Sequence, residues 1–442
     1  MKPRQNSLFQ RLFKEIEKIS LFDSHEHTWP EADRNAFGFS FFDWFRHYAG
    51  SDLVSAGLSP ITGQSILTPS PMSFAERWVA IRPFWQSARF TGYGRALLLA
   101  ARDLYDVDDI NDQTWQELND RILAANQPGL YWHVLRERAN IEHCIVDPQE
   151  PGVWNQELFS QARRWDNFAQ VWRRQNVSEF GRPFDLEISS LDDYLKALDY
   201  SFERAVAAGI VGLKIGVAYT RSILFEAVSN TTAETIFERL VDRPPVLIGT
   251  EEPPALSQQE AKPLQDYLFH QVIRRAIDCG WPIQIHTGMH EGNGNILRNS
   301  DPTLLTNLLL QYPQARWDLF HAGYPWSSHM AVLGKNFRGV HVNLCWLWII
   351  SPEVARRTLS EWLETVPVNK IIAFGGDYLF VEGTYAHSRM AREGVARVLS
   401  EKVETGYLSE EEAMQIAQLI LHDNAARLFG LLKEEKQLIS RG

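Results

Sequence analysis

Cysteine is scarce in this chain: three in 442 residues, Cys144, Cys279 and Cys345, with no CxxC pair and no finger spacing. That excludes a disulfide framework and a cysteine-built zinc module, and it makes reduced thiols in the cytoplasm the expectation. No apolar run is long enough to span a bilayer; the longest, around Leu97 and around Trp346, stop after a handful of residues. The amino terminus, MKPRQNSLFQRLFKEIEKIS, is charged throughout and has no apolar centre, so it reads as an amphipathic helix, not a secretory signal. There is no basic excess either. Lys and Arg number 44 against 55 Asp and Glu, for a formal net charge of -11, which argues against nucleic acid and anionic membranes as partners. A GxSxG nucleophile turn and a GxGxxG fingerprint are both missing, so serine-based hydrolysis and nucleotide binding are not indicated. Repeats, low-complexity tracts and linker-like stretches are absent too, and residues 1–442 read as one domain.

What the chain has is a series of short apolar runs that end in polar, metal-competent residues. Leu21 to His27 (LFDSHEH) ends in two histidines one residue apart, which an extended strand points to the same face. Trp281 to His286 (WPIQIH), Arg316 to His321 (RWDLFH) and Lys370 to Asp377 (KIIAFGGD) end the same way, and Gly209 to Gly216 (GIVGLKIG) carries Lys214. Further strands are expected at Ile141 to Asp147, at His341 to Cys345 and near Arg182 to Ile188. Helical spacing fills the intervals Leu191 to Ala208, Gln258 to Cys279, Pro302 to Gln311, Pro352 to Thr365, Ala386 to Val403 and Ser409 to Leu432. This alternation predicts an α/β chain, a (β/α)8 TIM barrel, in which ligands far apart in sequence meet at the carboxyl ends of the strands. From about 29 to 127 the alternation stops and aromatic helical segments take over, FGFSFFDWFRHY (Phe37 to Tyr48) among them. This reads as a helical insertion after the first strand that rises over the barrel mouth.

The pieces His25-Glu26-His27, Gly212-Leu213-Lys214, His286-Thr287-Gly288, His321-Ala322-Gly323-Tyr324-Pro325 and Gly376-Asp377, in that order, resemble the amidohydrolase superfamily, and within it the amidohydrolase-2 group. The stretch GLKIGVAYTR and the HTG and HAGYP turns are similar to the domain fused to glutamine synthetase in some fungal and plant proteins. The insertion after the first strand is similar to that of uronate isomerases.

The resemblance implies that His25, His27 and Asp377 bind one divalent metal and His286 and His321 a second, with zinc suited to such ligands and manganese or iron as alternatives. It implies that Lys214, carboxylated by carbon dioxide, bridges the two; a salt-bridged Lys214 leaves a mononuclear site on His25, His27, His286 and Asp377. Metal-activated hydroxide would attack the substrate, and Asp377 would act as base and then acid. The reading is a metal-dependent hydrolase for an amide, ester or lactone of a small substrate with room for a carboxylate. The rival is an isomerase of uronate type or a decarboxylase, both of which resemble this chain in the histidines and the aspartate but typically lack the lysine of strand four. Arg221 and His290 are candidate substrate contacts, and Tyr324 and Trp326 a candidate aromatic wall. A solvated Arg221 and core-packed aromatics are the plainer readings. The partner expected is a small molecule, and the acidic surface with the resemblance points to a homo-oligomer.

Overall fold

Eight short strands, β1 (Leu21–Glu26), β2 (Ile141–Val146), β3 (Phe159–Arg164), β4 (Gly212–Ile215), β5 (Pro282–Ile285), β6 (Arg316–Leu319), β7 (Val340–Asn343) and β8 (Ile371–Ile372), carry the architecture in this computed structural model, which describes residues 8–148, 152–242 and 254–432. All seven neighbouring pairs are parallel and the spatial order is the sequence order. Strands buried on both faces read as apolar runs rather than as alternation, which is why most of them were visible in the sequence. Past Ile372 the chain runs back against β1: Ser24 N–H and Oγ both donate to Phe374 O, at 3.3 and 2.8 Å, and Asp377 N–H donates to His25 O at 2.8 Å. These bonds close the (β/α)8 barrel.

One strand stands elsewhere than expected. The segment near Arg182 to Ile188 is not β3: Arg174–Gly181 is helical and Arg182–Phe184 is a 3-10 turn around Pro183, which has no N–H for a ladder. The third strand is Phe159–Arg164 (FSQARR), where only Phe159 and Ala162 are buried and four of six residues are polar. The carboxyl-terminal stretch is also divided, into Glu410–Gln418, a π turn Leu419–Asp423 and Asn424–Leu428. Of the amino-terminal helix, Leu8–Ile16 is present with Leu12 and Ile16 buried, and residues 1–7 of that expectation lie outside the described residues. No described helix is long and apolar enough to cross a membrane. The three cysteines are free, with Cys144 and Cys345 buried.

The barrel interior is apolar at its foot, where Phe22, Ala162 and Ile372 pack against Ala425, Ala426 and Phe429. A polar layer follows. Asn343 Nδ2 donates to Ser24 Oγ (3.0 Å) and Asp318 Oδ1 (2.9 Å), and Gln284 Nε2 donates to Asp318 Oδ2 (3.0 Å). By register Lys214, Gln284 and Asp318 share one level, so the long lysine stem carries its amine upward to the mouth.

The insertion includes the helices Glu31–Phe37, Tyr48–Ser55, Pro60–Ser65, Phe74–Ala88, Gly92–Tyr105 and Trp115–Ala125. Its aromatics, Phe41, Phe42 and Trp44 among them, form a second core together with Trp346, Tyr378 and Phe380 from the ends of β7 and β8. A buried ion pair ties the two parts: Arg34 donates to both oxygens of Glu382 at 2.6 and 2.7 Å, and Tyr105 Oη adds a third bond at 2.6 Å. The insertion is thereby held over the mouth beside β8.

Candidate functional site

The site begins with an irregularity in β1. Its register with β2 slips between Asp23 and Glu26, and such a slip re-aims side chains. Consecutive residues therefore both reach inside partners: Ser24 Oγ meets Asn343, and His25 Nε2 lies 3.4 Å from Lys214 Nζ. His27 Nε2 then comes within 3.3 Å of His25 Nε2.

Three backbone carbonyls fix the rings. His27 Nδ1 lies 2.9 Å from Asp147 O, His321 Nδ1 3.1 Å from Cys345 O, and His286 Nε2 2.8 Å from Met289 O. A carbonyl only accepts, so each of these nitrogens carries the hydrogen, and where the ring is neutral the opposite nitrogen presents a lone pair to the site. Burial pushes the rings of His25 and His286 well below their ordinary range and His321 to about 3, so all three are neutral. The result is lone pair against lone pair: His321 Nε2 stands 3.0 Å from His286 Nδ1 with no hydrogen between them. A shared cation is what resolves such a pairing, and neutral imidazoles beside a carboxylate are the donor set for a divalent metal. The side chains fit the group.

Asp377 completes the arrangement. Its Oδ1 lies 3.5 Å from His25 Nε2 and 3.3 Å from His27 Nε2, and Oδ2 lies 3.9 Å from His321 Nδ1. Burial alone would raise this carboxyl, but the imidazoles of His27, His321 and His25 hold it well below the usual carboxylate range. Asp377 and His321 both have left-handed backbone, φ 58° and 61°, which costs a non-glycine residue roughly 1–3 kcal/mol and is concentrated at functional sites. Among the described residues two sets bring their ligand atoms within 4.8 Å of one another: His25, His27 and Asp147, and His321, Cys345 and Asp377.

Lys214 is 2% exposed, and its amine sits 3.9 Å over the Phe320 ring. Burial, with Arg164 nearby, pulls it down to about 8, so a fraction is free amine near neutral pH. A cavity of about 30 Å³ is lined by His27, Lys214, His286, His321 and Asp377 together with His47, Tyr48, Arg164, Gly216, Tyr219 and Glu291.

Several of those lining residues were not anticipated. Tyr48, from the insertion, donates to Asp377 Oδ2 at 2.7 Å and approaches Asp377 O at 2.6 Å. Arg164 ends β3 and pairs with Asp147 through Nε at 2.6 Å and Nη2 at 2.5 Å, while the carbonyl of Asp147 holds His27. The signal for Arg164 was its place at a strand end, hidden because the strand itself was misplaced. His47 and Tyr48 close an aromatic run that reads as core.

The remaining candidates stand apart from the cavity. Arg221 is a correction: its guanidinium is spent on Asp266, Gln265 Oε1 (3.3 Å) and Leu224 O (3.1 Å), a buried structural cluster that leaves nothing for a substrate. His290 is 2% exposed and stacks behind His286, with ring centres 5.3 Å apart. Tyr324 and Trp326 are half-buried and not among the residues lining the cavity.

The amidohydrolase family model, Amidohydro_2, matches residues 157–431. The chain is 26% identical to protein fluG of Emericella nidulans over 231 residues, half of this chain but only 26% of fluG's length. It is 23% identical to uronate isomerase of Brucella canis over an alignment of 483 positions that covers 96% of each. Among solved structures, uronate isomerase from Thermotoga maritima superposes with a TM-score of 0.76 at 17% identity, covering 96% of this chain and 97% of that one. A protein described as a metal-dependent hydrolase from Lactobacillus casei gives 0.68 at 15%, covering 97% and 98%. At such identities these two structures speak for the shared barrel alone. The family match, however, spans more than half of the chain and takes in Lys214, His286, His321 and Asp377, all at the mouth described above, so the chain belongs to the amidohydrolase family.

Proposed function

We propose that this chain is a divalent-metal-dependent hydrolase acting on an amide, ester or lactone of a small substrate that carries a carboxylate. His25, His27 and Asp377 would hold one ion, His286 and His321 a second, and Lys214 as its carbamate would join them; zinc suits these ligands. When bound, the metal supplies Lewis-acid polarisation of the substrate oxygen and acidifies water. Asp377, kept ionised by the imidazoles around it, accepts the proton of the attacking water and returns it to the leaving group. Tyr48 holds one oxygen of that carboxylate and leaves the other facing the histidines of β1. Arg164 takes the part first assigned to Arg221: it lines the cavity, and with Nε and Nη2 paired to Asp147 it is the Nη1 end that can meet a substrate oxygen.

The observation that carries the hydrolytic reading is Lys214, buried at the end of β4 with its amine 3.4 Å from His25 Nε2. No acidic oxygen lies within ion-pair distance of that amine among the described residues, so a purely structural salt bridge has no partner there. A second reading, a non-hydrolytic isomerase with one metal on His25, His27, His286 and Asp377, is favoured by the end-to-end likeness to uronate isomerases. Reconstitution with isotope-labelled bicarbonate separates the two. A carbamate resonance that disappears in Lys214→Met supports the hydrolase; conversion of D-glucuronate to its keto acid without any carbamate signal supports the isomerase and overturns it.

A further inference from the structure

Three consecutive N–H groups of the turn that carries Asp377 are received by β1. Gly376 N–H donates to Asp23 Oδ1 at 2.9 Å, Asp377 N–H to His25 O at 2.8 Å, and Tyr378 N–H to Glu26 Oε2 at 2.9 Å. In the other direction His27 N–H donates to Tyr378 O at 3.1 Å. The strand that carries two of the site's histidines thus also grips the turn that carries its aspartate, and two of the three acceptors are side-chain carboxyls.

Asp23 and Glu26 are fully buried. Their outer oxygens are occupied by the backbone, Asp23 Oδ1 accepting from His25 N–H (3.1 Å) as well as from Gly376. Their inner oxygens are not: among the described residues no donor reaches Asp23 Oδ2 or Glu26 Oε1. Both border one spot, for a Cβ on Gly376 would lie 1.7 Å from Glu26 Oε1 and 2.9 Å from Asp23 Oδ2. No side chain fits there, which is why a glycine precedes Asp377. Two ionised carboxylates would set acceptor against acceptor away from water. One hydrogen held between them removes the conflict, and burial, which pushes both groups up, favours keeping it. The pair then carries a single negative charge and still offers Oδ1 and Oε2 to the turn.

Resting on the reading of Asp377 as a metal ligand, we infer that Glu26, joined to Asp23 by one shared hydrogen, is a positioning residue: by holding Tyr378 N–H it fixes the left-handed backbone of Asp377 and aims that carboxylate at His25 and His27. A non-glycine residue keeps such a backbone only where its surroundings over-determine it, and three bonds to one strand do so at φ 58°. Asp377 Oδ1 lies 3.5 and 3.3 Å from the Nε2 atoms of His25 and His27, so the spacing of three proposed ligands is set within one unit. Glu26, flanked by both histidines, acts through the turn and touches no metal itself.

Competition with a chromophoric chelator for zinc, on the full-length protein, tests this with charge-matched variants. Glu26→Gln keeps an oxygen for Tyr378 and replaces the shared hydrogen with an N–H to ionised Asp23; its affinity should match the parent's. Glu26→Met has similar length beside the same ionised Asp23 but makes neither bond, and should bind zinc about 10–100-fold more weakly, the loss usual when a partner that orients a ligand is removed. In the metal-free proteins, hydrogen exchange of the segment 376–380 should quicken in Glu26→Met and stay at the parent's rate in Glu26→Gln. Should Glu26→Met fail to fold, Gly376→Ala replaces it, since its methyl group displaces the same carboxyl and the same loss is expected. Parental affinity in the folded disrupting variant, even with a lowered Tm, reduces the clip to barrel closure and overturns the inference. So does Glu26→Gln binding as weakly as Glu26→Met. A parent that binds no zinc overturns the metal reading, and this inference with it.

Discussion

Tyr48→Phe isolates how the insertion acts on the proposed metal site. The phenol is 2% exposed and stacks on Trp346 (4.6 Å between ring centres) and Tyr93 (5.1 Å), contacts that phenylalanine retains. What is lost is one O–H, 2.7 Å from Asp377 Oδ2. Burial and the neighbouring Asp377 push this phenol well above its ordinary range, so it is a donor at every working pH. A bond to a charged acceptor contributes about 1.5–3 kcal/mol. Partners that orient a metal-ligating carboxylate typically change metal affinity by about 10–100-fold, a range of about 1.4–2.7 kcal/mol. Competition with a chromophoric chelator for zinc should therefore show Tyr48→Phe binding about 10–100-fold more weakly, while the Tm of the metal-free protein moves little. Affinity equal to the parent's would refute the idea that Tyr48 positions Asp377.

Three further outcomes are expected. Glu382→Gln leaves the buried Arg34 without its counter-charge and should cost about 3–5 kcal/mol in urea unfolding, because both partners are almost fully enclosed. Arg221→Ala removes one partner of buried Asp266, which keeps Lys262 and the Glu226 N–H, and should lower stability by only about 1 kcal/mol with turnover unchanged, whereas Arg164→Ala, at the cavity itself, should abolish turnover. Burial holds the His387 ring at about 4, against 6.5 in the unfolded chain. The unfolded state thus binds the extra proton first, the full stability is present above pH 6.5, and it is lost as pH falls toward 4. The loss reaches about 2 kcal/mol at pH 5, and His387→Gln should flatten that slope in unfolding titrations run between pH 7 and 5.

The parts of this molecule that were readable from residues alone share a physical reason. A barrel strand buried on both faces is an apolar run, and its last residue projects into the mouth, so WPIQIH and RWDLFH announce both the strand and the histidine that follows it. The insertion was readable because strand periodicity stops after His27. Phe159–Arg164 was not, since a strand whose polar residues Gln161, Arg163 and Arg164 interrupt its apolar ones carries no run to find. Arg164 went unseen with it, and Arg221, close behind a secure strand, took its place. His47 and Tyr48 were hidden differently. They end a segment whose Phe41, Phe42 and Trp44 are core, and only the packing of that core on Trp346 and Tyr378 turns the two polar tips toward Asp377. The register slip in β1, which lets Ser24 and His25 both reach the interior, has no mark in composition or period.

The central claim is that histidines from β1, β5 and β6, the aspartate after β8 and the lysine of β4 converge on bound cations. Elemental analysis of the purified chain, reconstituted with zinc in the presence and absence of bicarbonate, tests it most directly. Expected are about two ions per chain with bicarbonate and fewer without it, the dependence vanishing in Lys214→Met. One ion per chain regardless of bicarbonate would transfer support to the single-metal isomerase, and a chain that retains no metal under either condition would contradict the convergence itself.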